Sequence, residues 1–131
     1  MNRRTLLATA AALIVAPFAL SANSIDYTPG TAEEAINAGE TVLLDFAADW
    51  CSTCRSQERT INALIEANPA YGDAITIYRV DWDEYGRSDL ATQLRIPRRS
   101  TLVMFRDGAE VARIVAGTRE SDIRALLDTG L

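Results

Sequence analysis

The stretch Leu44-Asp45-Phe46-Ala47-Ala48-Asp49-Trp50-Cys51-Ser52-Thr53-Cys54 decides the fold. Its first half belongs to a run, Thr41 to Ala48, that is apolar except for Asp45, the pattern of a strand buried on both faces. Its second half leads into Ile61, Leu64 and Ile65 at helical spacing, up to Pro69. The cysteines thus stand where a strand gives way to a helix. There Cys51 would lie near unpaired backbone N–H groups and the positive end of the helix dipole, both of which stabilise a thiolate. Cys54, one helical turn later on the same face, is within reach of the Cys51 sulfur.

The composition narrows what this pair can do. The chain has 131 residues, two Cys and no His. A zinc site built on C-x-x-C needs two further ligands, and neither a second pair nor a histidine supplies them. The missing histidine also removes Cys-His and Ser-His catalysis. A purely structural bridge is the bland alternative, but so short a loop constrains the unfolded chain least. Redox chemistry is left as the reading of the pair, with no metal and no cofactor required. Thirteen Arg against 18 acids give a net charge of −5, which makes nucleic acid a poor partner.

Outward from this centre, the length fits one domain with a single core. Upstream, Thr31-Ala32-Glu33-Glu34 has capping-box spacing, with Thr31 as the cap, and Gly39 closes that short helix. Downstream, Ala74 to Val80 is rich in β-branched and aromatic residues and predicts a second core strand. Ser88 to Leu94 predicts a short helix. Thr101 to Phe105 and Ala109 to Val115 flank Asp107-Gly108, a hairpin signal, and Thr118 is placed to cap a closing helix carrying Ile123, Leu126 and Leu127. Strand, helix, strand, helix, hairpin, helix predicts an α/β fold: a central mixed β-sheet flanked by helices on both faces.

The N-terminus reads differently. Arg3 and Arg4 precede an apolar run from Leu6 to Leu20, and Ser21-Ala22 follow as small residues. This is the pattern of a signal peptide, residues 1–22, ahead of a domain at 23–131. The run is shorter than the roughly 20 residues of a spanning helix. Its removal leaves 11 Arg against 18 acids, a charge of −7.

The central stretch is similar to the active-site segment of the thioredoxin family. Thr101-Leu102-Val103-Met104-Phe105-Arg106-Asp107-Gly108 resembles that family's later strand and hairpin, and Gly117 the glycine before its last helix. The resemblance runs from about Ile25 to Leu131, and Ala48-Asp49-Trp50-Cys51 is most similar to the periplasmic thioredoxin-like domain of the transmembrane disulfide reductase. It implies a redox disulfide between Cys51 and Cys54, with Cys51 as attacking and Cys54 as resolving thiol. Asp45 matches the family's buried aspartate, a proton acceptor for the resolving thiol; the alternative is a charge satisfied by a neighbour such as Arg79. Trp50 is expected both to pack and to form the partner-binding rim.

One position departs from the family. Where it carries a cis-proline before the later strand, this chain has Ser100, and we expect the Arg99–Ser100 peptide to be cis. Arg98 and Arg99 stand where the family has small or apolar residues; they are either a solvated loop or a means of stabilising the thiolate or recognising an acidic partner. With Trp50 and Thr101, Arg99 and Ser100 make up the expected substrate-binding edge.

Together these readings predict a monomeric, periplasmic thiol–disulfide oxidoreductase. It would reduce or exchange disulfides in exported proteins, with electrons from a membrane thiol reductase. The alternative is a non-catalytic binding protein of the same fold, active in cytochrome maturation or in metal or cluster delivery.

Overall fold

In the computed structural model, residues 11–12 and 24–131 are described. The signal peptide assigned to residues 1–22 lies outside them, apart from 11 and 12. A five-stranded mixed sheet, in spatial order β1-β3-β2-β4-β5, organises the domain. Its strands are β1 (Ser24–Asp26), β2 (Val42–Ala47), β3 (Thr76–Asp81), β4 (Thr101–Arg106) and β5 (Ala109–Val115). β3 runs parallel to both β1 and β2, whereas β4 is antiparallel to β2 and to β5. The helices are α1 (Thr31–Asn37), α2 (Ser52–Ala67), α3 (Ala70–Ala74), α4 (Trp82–Tyr85), α5 (Asp89–Gln93) and α6 (Glu120–Asp128).

β2 is buried along its whole length, and its period of two sorts the core into two layers. Val42, Leu44 and Phe46 join Val103 and Phe105 of β4 on one face, beneath Ala32, Ala35 and Ile36 of α1 and Leu90 and Ala91 of α5. Leu43 joins Leu102 and Met104 on the other, beneath Ile61 and Leu64 of α2 and Ile123, Leu126 and Leu127 of α6. The helices therefore cover both faces of the sheet. Alternation puts Asp45 on the Leu43 side, under α2, two residues from Ala47, which packs against both cysteines.

Punctuation in the sequence explains most boundaries. α2 stops at Ala67 because Asn68 precedes Pro69 and is held extended, at φ −136° and ψ 91°. Asp107 and Gly108, at φ 52° and 80°, turn β4 into β5 through two left-handed residues, the geometry a two-residue hairpin with the right twist requires. Ser88 caps α5, its Oγ accepting the Ala91 N–H at 3.2 Å.

Two caps fall elsewhere than predicted. α1 is capped at Gly30, at φ 93°, and Glu33 reaches back to the Gly30 N–H. Thr31 is already helical, and its hydroxyl donates to Thr28 O at 2.7 Å. The box thus sits one residue earlier than the Thr31–Glu34 reading, because a glycine takes the left-handed turn into the helix at little cost. The cap of α6 is Arg119 rather than Thr118, and no side chain completes it.

Candidate active site

Cys51 is the N-cap of α2. Its extended backbone, at φ −87° and ψ 107°, lets Sγ turn back to accept the Cys54 N–H at 3.2 Å. The strand-to-helix change at Asp49-Trp50 thus aims the sulfur at unpaired amides of the first turn, where a thiolate is stabilised. Cys51 and Cys54 form a disulfide with Cα atoms 5.3 Å apart. Both are buried, at 3% and 1% exposure. In the oxidised state neither cysteine is open to solvent. Ala47, Ala48 and the partly buried Trp82 pack around the pair.

Ser100 meets the cysteines from the loop directly before β4. Its Oγ lies 3.1 Å from Cys51 Sγ and 3.1 Å from Cys54 Sγ. The cis peptide expected before it is not found: among the described residues no peptide bond is cis. Ser100 instead adopts φ 63°, and its N–H donates to Phe46 O at 2.7 Å. The reason lies in the residue type: a secondary amide pays about 2.5–4 kcal/mol for cis, and Ser, unlike proline, has an N–H to bond to β2. The Ser100 carbonyl accepts from Ala116 N at 2.8 Å and from Gln57 Nε2 at 3.0 Å.

Gln57 did not stand out in the sequence. It is fully buried on α2, and its amide also donates to Gly117 O at 3.0 Å. It thereby ties the active-site helix to the two loops that close over it. Its position was readable in principle: Cys54, Gln57, Ile61 and Leu64 share one helical face, so a polar residue interrupts an apolar stripe.

Asp45 lies beneath the pair, 3% exposed, and its Oδ1 is buried with no hydrogen-bond partner. Burial, reinforced by nearby Glu58 and opposed by Arg79, pushes its pKa up to about 7. Arg79 does not satisfy it directly, since the guanidinium bonds Asp49 at 3.0 Å and Glu58 at 3.3 Å. A cleft of about 290 Å³ lined by Ser24, Asp45, Glu58, Ile61, Asn62, Ile77 and Arg79 opens beside the carboxyl and gives it an outlet to solvent.

The rim is built around Trp50, 54% exposed. Its indole N–H donates to the Asp83 carboxylate of α4 at 3.0 Å, and the Arg99 guanidinium lies 4.4 Å from the ring centroid. Arg98 turns its Nε to the Arg99 carbonyl at 3.1 Å. The two arginines thus border the site, as their positions suggested, whereas Ser100 and Thr101 are fully buried behind them.

A helix-opening cysteine pair over a buried carboxyl, on a mixed sheet covered on both faces, defines a thiol–disulfide oxidoreductase of thioredoxin fold. The sequence profile of the thioredoxin family matches residues 24–129, and the chain belongs to this family. A thioredoxin of Echinococcus granulosus is 30% identical over 95 residues, covering 72% of this chain and 82% of its own. One from Chlamydia trachomatis serovar D is 36% identical over 85 residues, 65% of this chain and 76% of its own. Among solved structures, Trxlp from Edwardsiella tarda EIB202 superposes with a TM-score of 0.66 at 32% identity, over 81% of this chain and 96% of that one.

Proposed function

We propose that the protein is an exported, periplasmic oxidoreductase that reduces or exchanges disulfides in other exported proteins, recharged by a membrane thiol reductase. The observation that carries export is the leader itself: Arg3 and Arg4, the apolar run Leu6 to Leu20, then Ser21-Ala22. A cut after Ser21 or Ala22 also leaves β1, from Ser24, whole. The reducing direction rests on Ser52-Thr53 between the cysteines, which add none of the thiolate stabilisation typical of strong oxidants. Trp50 and Arg99 form the outer part of the substrate-binding edge, with Ser100 and Thr101 behind them, and Asp45 takes the proton of the resolving thiol. The working species is a monomer.

Two measurements test this. Residues 1–30 fused ahead of a reporter that folds only outside the cytoplasm should give reporter activity, lost when Leu13 and Val15 become Asp. Retention of the fusion in the cytoplasm refutes export. The purified domain should catalyse dithiol-driven reduction of a protein disulfide such as that of insulin; failure to turn over would leave only a binding role.

A further inference from the structure

Among the described residues, one side chain hydrogen-bonds the sulfurs, and it is Ser100. The charged groups around the pair are Asp45 on β2, Asp49 and Arg55 on either side of the cysteines, Asp83 on α4 and Arg98 and Arg99 before β4. Their bonds go elsewhere: Arg55 to Asp49 O, Asp83 to Trp50, Arg98 to Arg99 O. The Ser100 hydroxyl is equidistant from both sulfurs, at 3.1 Å.

The backbone at this position sharpens the point. A non-glycine residue at φ 63° is strained, and glycine would take that conformation without penalty. Glycine would also preserve the bonds of the Ser100 N–H to Phe46 O and of its carbonyl to Ala116 N and Gln57 Nε2, since residue 100 contributes only main-chain atoms to them. What serine adds is the hydroxyl, held by those three bonds at the one place where it reaches both sulfurs.

We propose that Ser100 is a catalytic hydrogen-bond donor that stabilises the reduced pair by holding its O–H on the Cys51 thiolate. Reduction by a dithiol delivers two electrons and one proton to the Cys51–Cys54 bond. The S–S bond breaks, Cys51 becomes a thiolate, Cys54 a thiol, and the donor dithiol becomes a disulfide with release of its second proton. The Ser100 O–H then points at Cys51, and its lone pair accepts the Cys54 S–H. A thiolate is a far stronger acceptor than a disulfide sulfur, so the bond favours the reduced form. This rests on the cysteine couple alone, not on export or on the direction of electron flow in the cell.

The test uses Ser100→Ala and Ser100→Gly in the full domain, with melting curves to establish that each folds. Cys51 is titrated by its thiolate absorbance and by alkylation rate, and the potential is read by equilibration with glutathione. Losing one charge-assisted bond should raise the Cys51 pKa by about one unit. At a pH where Cys51 is ionised in every variant, the equilibrium should shift about tenfold toward the disulfide, a potential lower by about 30 mV. Ser100→Gly relieves the backbone strain, so it gives a folded variant if Ser100→Ala does not. An unchanged Cys51 pKa and potential in a folded variant overturns the proposal. So does an equal shift in Leu126→Ala, a core truncation on α6 that leaves the hydroxyl and the rim in place, since the effect would then be general loosening of the fold.

Discussion

At the scale of single residues, Asp45 and Ser100 invite the most direct tests. Because the Asp45 pKa rises from its ordinary 3.8 to about 7, the folded protein holds a proton there that the unfolded chain releases. Its contribution to stability is therefore most favourable at low pH and declines as pH rises from about 4 to about 7, with a full penalty of a few kcal/mol above that. Asp45→Asn should raise the melting temperature at about pH 8, change it little at about pH 4, and slow turnover, read by calorimetry and by insulin reduction. Retained activity across this range would make Asp45 purely structural. Ser100→Pro should destabilise rather than restore a family feature. Proline fixes φ near −65° where the chain needs 63°, and it removes the N–H that bonds Phe46 O. We expect a loss above 1–3 kcal/mol, the cost of that buried carbonyl alone. Cys54→Ala should trap partners as stable mixed disulfides and Cys51→Ala should not. The reverse pattern would exchange their roles.

At the scale of elements, what the sequence made legible was what repeats. β2, α2, the β4–β5 hairpin and α6 carry periodic apolar residues or a two-residue turn, and those signals survive without tertiary context. β1 has only three residues, all exposed, and α4 only four, too few for any period. The Thr31 cap was misread because Gly30 offers the same service with no side chain to announce it. The cis peptide was wrongly expected for a related reason: the resemblance located the loop correctly, but its geometry followed the residue present, and serine bonds where proline cannot. Of the site, Cys51, Cys54, Asp45, Trp50 and Arg99 were legible by type and order. Gln57 was not, because a glutamine on a helix ordinarily faces water. Its bonds to Ser100 O and Gly117 O give the element-scale prediction. Gln57→Leu keeps the volume and strands two carbonyl contacts, so it should cost about 1–3 kcal/mol in denaturant unfolding and loosen the loops over the cysteines. Faster alkylation of the reduced pair would reveal that loosening.

At the scale of the whole molecule, the charge is uneven. A chain that carries −7 beyond residue 22 keeps Arg98 and Arg99 beside its reactive disulfide, the latter set on Trp50. Opposite fields at the rim and over the body should orient an acidic partner toward the cysteines. Reduction of an acidic disulfide peptide should therefore slow as salt increases, and Arg99→Ala should remove much of that dependence. A rate indifferent to salt would place the arginines in an ordinary solvated loop.

The bonds from Gln57 to Ser100 and Gly117 span 43 and 60 residues of chain. During synthesis, Cys51 and Cys54 are made long before the segment that will shelter them. A nascent chain ending near residue 96 has both thiols and neither Ser100, β4 nor the Gly117 loop. Its cysteines are then ordinary thiols, open to any oxidant or to another chain. The order of the sequence thus sets a period in which the pair is vulnerable, and it closes only when the last quarter of the chain folds back over α2.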